Sequence, residues 1–167
     1  IAAAHLSFPS SWLLAEKFDR SMEAIHEHVP GFQAGTRNAV MINRIFDNLL
    51  PDQPAERFNW SINWREKLFH PETGRNDKAQ PEEAVVRVER QTLTKLQDTG
   101  TIVFTIRIYL DPVTLFENHP EGARLAMALA GQLAALDPAQ TAYKGLDVQK
   151  ARLVARLRQD AASKNRS

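Results

Sequence analysis

The chain has 167 residues, of which 43% are hydrophobic and 25% charged, and its formal net charge at pH 7 is +1. This length and composition are typical of one globular domain, and the small charge argues against broad electrostatic binding to nucleic acid or a membrane surface. Cysteine is absent, which excludes disulfides, thiol nucleophiles and Cys-based metal sites and fits a reducing compartment such as the cytoplasm. No apolar run approaches the roughly 20 residues that span a bilayer.

The first third of the sequence alternates short apolar segments with turn residues. Residues 1–8 predict a short strand, and because the chain opens with Ile inside this strand we expect it to be the C-terminal part of a longer protein. Apolar residues at helical spacing then predict helices over 12–18, 22–26 and 38–50. Ser21 is the expected N-cap of the second helix, because its hydroxyl accepts a free backbone N–H of the first turn.

The middle of the chain, residues 84–110, predicts a β-hairpin. Two segments rich in β-branched residues flank the polar turn Gln97-Asp98-Thr99-Gly100. Residues 56–64 predict another strand, whose two tryptophans are better explained as core residues than as cofactor-stacking groups. The polar segment 70–83, with two prolines and a glycine, predicts a mobile loop between the strand and the hairpin.

The second arm of the hairpin has one apolar face, called here the apolar wall. Strand alternation places every second residue on this side: Ile102, Phe104, Ile106, Ile108 and Leu110. Such an unbroken apolar surface suits either a core or a flat hydrophobic ligand.

Arg90 is the unusual residue of the first arm, because it continues the row of Val86 and Val88. One interpretation is a strand that leaves the core and pairs its charges across the hairpin. The other is that Arg90 and its neighbours donate hydrogen bonds into a cavity above the sheet, because a guanidinium in an apolar pocket is costly unless a polar group meets it. The register that would decide between them does not follow from the sequence.

The last third of the chain predicts helices over 120–136, from Pro138, and in a final amphipathic segment capped by Asp147. Strands followed by segregated helices predict an α+β fold, with helices packed around an antiparallel sheet and helices at the C-terminus. We expect one domain over residues 1–161 and a frayed tail over 162–167.

The five histidines are the candidate metal ligands of this cysteine-free sequence. No third ligand stands at a familiar zinc spacing beside His26 and His28, whereas haem iron needs one axial His and an apolar cavity. His26 lies at a predicted helix end before the rigid turn 29–31, which would hold a ligand at a fixed height, but a surface or capping role explains it as well. His5 and His70 remain alternatives.

Several short motifs follow one another along the chain: FPSSW at 8–12 with Glu16-Lys17, IHxxVPG at 25–31, NWS at 59–61, RVERQTL at 87–93 leading to FTIR at 104–107, and YKG at 143–145. In this order they resemble the family of haem-dependent oxidative N-demethylase α-subunit-like proteins. The resemblance covers about two thirds of the chain and is specific through the combination of motifs rather than through any one of them.

The resemblance implies a PAS-like sheet that binds haem b. It also implies oxidative removal of a methyl group from a small secondary amine, with O₂ as oxidant and electrons from a reductase partner that carries flavin or an iron–sulfur centre. The cofactor would supply the chemistry, and the protein would supply orientation and a proton path. The alternative function is a non-catalytic PAS-like sensor module that binds haem or another small ligand in the same pocket, and a structural remnant with an empty pocket is a third.

On this interpretation, Glu89 and Arg90 point to opposite faces of a regular strand. Both line one pocket only if a bulge intervenes, or if Glu89 acts from behind by orienting Arg107 or Arg87. The resemblance and the residue pattern together predict this site: Arg90 and Glu89 for catalysis, His26 as the metal ligand, and His26, Arg107, Ile102, Phe104, Ile106 and Ile108 for the cofactor.

Overall fold

The computed structural model describes residues 1–71 and 75–164. Six α-helices, three strands and two 3₁₀ turns occur in these ranges. Their order along the chain is α1 (Leu14–Lys17), α2 (Met22–His26), α3 (Arg37–Asn48), β1 (Ala55–Asn63), a 3₁₀ turn (Pro81–Glu83), β2 (Val85–Lys95), β3 (Ile102–Pro112), a second 3₁₀ turn (Val113–Glu117), α4 (Gly122–Ala135), α5 (Pro138–Tyr143) and α6 (Lys150–Lys164). The α+β fold class and the C-terminal helices are therefore confirmed, while the PAS-like topology stays a prediction.

The three strands form one antiparallel sheet in the order β1-β2-β3, with β2 in the centre. The register is continuous from Val85 opposite Pro112 to Lys95 opposite Ile102, so no bulge interrupts β2. Directly opposed residues of antiparallel strands share a face. Glu89 lies opposite Ile108, which places it on the face of the apolar wall, here called the wall face.

The other face of the sheet, here called the helix face, packs on the C-terminal helices. Ile62 and Trp64 belong to one buried cluster with leucines of α4, α6 and the segment between them: Leu133, Leu146, Leu153 and Leu157. Each of these leucines is fully buried, and burying one such side chain contributes about 1.5–3 kcal/mol. Trp60 of β1 packs against the same cluster, so Trp60 and Trp64 are both core residues, as the sequence predicted.

Local signals at the helix ends agree with the structure in two places. The Ser21 hydroxyl accepts a hydrogen bond from the Ala24 backbone N–H at 3.3 Å, so this N-cap is confirmed. Asp137 caps α5 in the same way, through the Gln140 backbone N–H at 2.7 Å, and Pro138 occupies the first turn. Within the described ranges, none of the helices is both long and apolar enough to cross a membrane.

Two predictions about the chain ends were wrong. Residues 1–8 form no strand, because a strand needs a partner for its backbone groups and only Ser10 makes an isolated bridge, to His70. At the other end, α6 begins at Lys150, too far along the chain for Asp147 to be its N-cap, and it continues through Lys164. The Lys164 ammonium donates to the His119 carbonyl at 2.8 Å, which fixes the last turn of α6 beside the start of α4. Residues 165–167 of the expected tail lie outside the described residues.

The loop before the hairpin is better held than the sequence predicted. Residues 72–74 lie outside the described residues, but the segment after them is attached to the start of α6. The buried Gln149 amide donates to the carbonyl oxygens of Asn76 at 3.2 Å and Asp77 at 2.9 Å. Ala79 is also buried. Residues 76–79 are therefore part of the packed domain rather than a mobile connection.

Replacing Gln149 by Leu should lower the free energy of unfolding by about 1–3 kcal/mol, because two partly buried carbonyls would lose their donor. Urea denaturation measures this change, and limited proteolysis should show faster cleavage within residues 76–83. Gln132→Leu, at an exposed position of α4, is the matched control and should stay within about 0.5 kcal/mol of the wild type. Equal effects of the two substitutions would contradict the attachment.

Candidate functional site

The wall face of the sheet has a polar half and an apolar half. Residues that lie directly opposite one another on the three strands are here called a cross-strand row. The register places polar residues of β1 and β2 in the same cross-strand rows as the isoleucines of β3. One row contains Arg57, Gln91 and Ile106, and the next contains Asn59, Glu89 and Ile108. A ligand on this face would therefore meet hydrogen-bonding groups on one side and an apolar surface on the other.

Four side chains of the polar half form a hydrogen-bonded chain, here called the Glu89 network. The Arg57 Nε donates to Gln91 Oε1 at 2.6 Å, and Gln91 Nε2 donates to Glu89 Oε2 at 3.0 Å. The second carboxylate oxygen, Glu89 Oε1, accepts from Arg87 Nε at 3.2 Å. Each oxygen of Glu89 is thus held by a separate donor, so the carboxylate has a fixed orientation on the sheet.

Arg87 is the most buried charged residue of the network, with 1% of its surface exposed. Besides Glu89, its guanidinium donates to the carbonyl oxygens of Leu68 and Phe8, both at 3.3 Å. A buried charge is tolerated when it is paired and its hydrogen bonds are satisfied. Arg87 therefore joins the N-terminal segment and the segment after β1 to the centre of the sheet. Of the two partners suggested for Glu89 from the sequence, the structure pairs it with Arg87.

The end of α5 lies against the outer edge of β1. The Lys144 ammonium donates to the Trp60 carbonyl at 2.6 Å and lies 4.5 Å from the centroid of the indole ring. Burial lowers the pKa of Lys144, and the Glu89 charge partly opposes this shift. Partial burial raises the pKa of Tyr143, and the Glu89 charge adds to that shift while Arg57 opposes it. The charges of the Glu89 network therefore influence the pKa values of Tyr143 and Lys144 in the YKG segment.

The apolar wall is only half covered by the described residues. Ile102, Ile106, Ile108 and Leu110 are of intermediate exposure, and 52% of Phe104 is exposed. An open apolar surface next to satisfied polar groups is typical of a ligand site or an interface rather than of a finished core.

His26 lies at the C-terminal end of α2 and faces α3. Its Nδ1 lies 2.8 Å from the Met22 carbonyl, which only accepts hydrogen bonds, so Nδ1 carries the proton. In the neutral ring the lone pair is then on Nε2. The imidazole also stacks on Phe32, with 6.0 Å between ring centroids. The cavity beside it measures about 10 Å³ and is lined by Met22, Glu23, Phe32, Ala39, Ile42 and Asn43, so it has room for about one water molecule.

The two alternative histidines are placed differently. His5 is exposed, and its Nε2 lies 2.8 Å from the Ser7 hydroxyl. His70 lies on the short segment that bridges to Ser10, where its backbone N–H donates to the Pro9 carbonyl at 2.9 Å. Among the described residues, no three His, Asp or Glu side chains form a group that could hold a metal ion by themselves.

Arg90 and Arg107 lie on the helix face, away from the apolar wall. They are directly opposite each other in the register, and Arg90 Nε donates to Glu56 Oε2 at 2.6 Å. Arg90 is 45% exposed, and the Arg107 guanidinium lies 5.2 Å from the Tyr109 ring centroid. The expected placement of Arg90 beside Ile102, Phe104, Ile106 and Ile108 is therefore not observed, because an unbulged strand sends residues 89 and 90 to opposite faces. A catalytic role for Arg90 stays a prediction.

Replacing Arg90 by Ala should lower the free energy of unfolding by less than about 1 kcal/mol, because the lost ion pair with Glu56 is exposed. It should also leave binding of any ligand on the wall face unchanged, because the side chain lies across the sheet. Urea denaturation and a haemin titration of the variant measure the two effects. A loss of haem affinity of about tenfold or more would contradict this placement.

Three residues of this region were not predicted from the sequence: Arg57, Gln91 and Lys144. Alternation along β1 separates Arg57 from Phe58, but only the register shows that Arg57 meets Gln91, which is 34 positions away. In the sequence, the YKG motif indicates only a family resemblance and no structural role. Its contact with Trp60 joins positions 84 residues apart, which no local pattern indicates.

The fold and the site define an α+β domain whose sheet has a polar network beside an open apolar surface. The sequence matches the family described as haem-dependent oxidative N-demethylase, alpha subunit-like, over residues 1–154. The chain belongs to this family. A comparison with curated proteins found no match.

Proposed function

We propose that this protein is a haem-dependent oxidoreductase that removes a methyl group from a small secondary amine, using O₂ and electrons from a reductase partner with flavin or an iron–sulfur centre. Family membership supports haem and oxidative N-demethylation as the class of cofactor and reaction. The observation that carries the proposal to this chain is the hydrogen bond between His26 Nδ1 and the Met22 carbonyl.

The donor set fits a haem iron. Histidines that ligate a metal almost always donate their other ring N–H to a carboxylate, a backbone carbonyl or water, which fixes the tautomer and the ring orientation. The Nδ1 contact of His26 with the Met22 carbonyl is such an arrangement, and it supports our assignment of Nε2 as the atom that would ligate the iron. The adjacent cavity is water-sized, so the flat part of haem b would need an open surface instead. We assign the haem ring to the partly exposed apolar wall of what we take to be a PAS-like sheet.

When bound, haem b would supply the activation of O₂, and the protein's own residues would orient the substrate. Glu89 is the residue that we assign to the amine. Its two oxygens are held by Arg87 and Gln91, and each keeps acceptor capacity, since a carboxylate offers about four lone-pair sites. An ammonium N–H of the substrate would meet Glu89, while its methyl groups would contact Ile108, which lies directly opposite Glu89 on β3.

A titration of the purified protein with haemin tests the cofactor, and a formaldehyde assay with dimethylamine, O₂ and a reductant tests the reaction. We expect a sharp Soret band that saturates at one haem per chain, and formaldehyde release that depends on the amine. Haem binding without formaldehyde release would favour the sensor alternative. Absence of any Soret band in the wild type would contradict the demethylase function and a haem-binding sensor, and would leave only a sensor for another small ligand or a remnant with an empty pocket.

Glu89→Gln separates the two functions further. Because this change also leaves the buried Arg87 without its charged partner, circular dichroism first verifies that the variant is folded. The folded variant should retain the haem spectrum, because the amide preserves the shape of the side chain, and it should lose most of the amine-dependent turnover. Removal of one preorganised group at a reacting centre typically lowers the rate by about 10²–10³-fold. Asp111→Asn, on the helix face, is the matched control and should leave turnover unchanged.

A further inference from the structure

We propose that Arg57 binds a propionate carboxylate of the haem, and so fixes the orientation of the ring on the wall face. This inference rests on the proposed function, because it takes haem as the ligand. The observation behind it is an exposed guanidinium on the polar half of the wall face, in the same row as Ile106 of the apolar wall.

The Arg57 guanidinium is only partly used by the protein itself. Its Nε donates to Gln91 at 2.6 Å, and among the described residues no carboxylate lies within ion-pairing distance of it. The bond to Gln91 fixes the direction of the side chain, which lowers the conformational entropy lost when a ligand binds. Arginine is suited to a carboxylate, because its planar fork donates two parallel hydrogen bonds.

The other cations near the wall face are less suitable. Arg87 is buried and its guanidinium already meets Glu89, Leu68 and Phe8. Lys144 donates to the Trp60 carbonyl at the outer edge of β1. Lys95 shares the face but lies four positions from Gln91 along β2, about 14 Å away in an extended strand.

The position of Arg57 also matches the shape of the ligand. Arg57 on β1 and Ile106 on β3 are separated by β2 alone, so their backbones lie about 10 Å apart at the usual strand spacing. Ala55, Leu93 and Phe104 form the next row of the same face and are apolar throughout. A flat ring that lies on Phe104 and Ile106 would therefore place an acidic substituent near Arg57. Arg107, which the sequence suggested as a cofactor-binding residue, lies on the opposite face.

The test compares haemin with haemin dimethyl ester, in which both propionates are neutral. Visible titrations of the wild type, Arg57→Gln and Arg57→Lys give an affinity for each ligand, without any need for turnover. We expect the wild type to prefer haemin over its ester by about tenfold, the effect of one charge-assisted pair. Arg57→Gln should bind both ligands with equal affinity, and that affinity should match the affinity of the wild type for the ester. Arg57→Lys should restore only part of the preference for haemin.

Arg107→Gln is the matched control, since it removes an exposed arginine from the helix face, and it should keep the full preference. The same titrations are made on Lys95→Gln, which removes another cation of the wall face. Three results would overturn the inference and leave the proposed function standing: no preference for haemin in the wild type, an unchanged preference in Arg57→Gln, or a loss of the preference in Lys95→Gln alone. Absence of haem binding in the wild type would overturn both. Circular dichroism of each variant verifies that the fold is retained.

Discussion

Replacing His26 by Ala is expected to abolish tight haem binding. The reason is that the proposed site has one strong bond between the protein and the iron, through His26 Nε2. Mutation of a group that only supports a metal ligand already lowers metal affinity by about 10–100-fold, so loss of the ligand itself should lower it by more than about 100-fold. A haemin titration that follows the Soret band measures the change, and added imidazole should restore part of the spectrum by occupying the vacated position.

His28→Ala is the control for this experiment, because His28 is exposed and lies two residues further along the chain. It should bind haem as the wild type does. If His26→Ala retains the wild-type spectrum and affinity, His26 is not the ligand, and the same titration on His5→Ala and His70→Ala identifies which alternative is correct.

Replacing Arg87 by Met should produce the largest loss of stability of any single charged residue in the sheet, about 3–5 kcal/mol. Removing one partner of a buried ion pair has this effect because the other charge is left without compensation. Here Glu89, with 16% of its side chain exposed, would lose its charged donor, and the carbonyls of Phe8 and Leu68 would lose a hydrogen bond each. The midpoint of urea denaturation, at an unchanged slope, measures the loss.

Arg90→Met provides the comparison, because it removes the same charge from an exposed position three residues away. The double variant Arg87→Met/Glu89→Gln should be more stable than Arg87→Met alone, since it no longer leaves a negative charge unpaired. A loss below about 1 kcal/mol in Arg87→Met would mean that this guanidinium behaves as a surface group, contrary to its burial.

Local patterns predicted the elements of this fold well wherever the determining residues are neighbours in sequence. The hairpin, the Ser21 cap and the helices after it all depend on spacings of a few residues. The same patterns predicted a strand over 1–8 that does not form, because apolarity cannot supply a hydrogen-bonding partner. They also predicted a mobile loop where the distant Gln149 holds the backbone of residues 76 and 77.

The candidate site was harder to predict because it depends on the register. Alternation alone separates Glu89 from Arg90, but it does not say which of them faces the apolar wall. The structure places Glu89 there and pairs Arg90 with Glu56 on the other side. The same register creates the row of Arg57, Gln91 and Ile106, whose members come from three strands. Such long-range pairings are decided by packing of the whole sheet rather than by any short stretch of sequence.

Arg87 bonds Glu89, Leu68 and Phe8, and this couples the stability of the N-terminal segment to that of the sheet. One guanidinium bonds the Glu89 carboxylate and the Phe8 carbonyl, so the free energy that holds residue 8 in place depends on the charge state and contacts of residue 89. Linkage is reciprocal: a ligand that binds Glu89 more tightly when residue 8 is attached must strengthen that attachment by the same factor. The Ser11 amide donates to the nearby His70 carbonyl, so its hydrogen-exchange rate reports how firmly the N-terminal segment is attached. A ligand on the wall face that strengthens this attachment would slow the exchange.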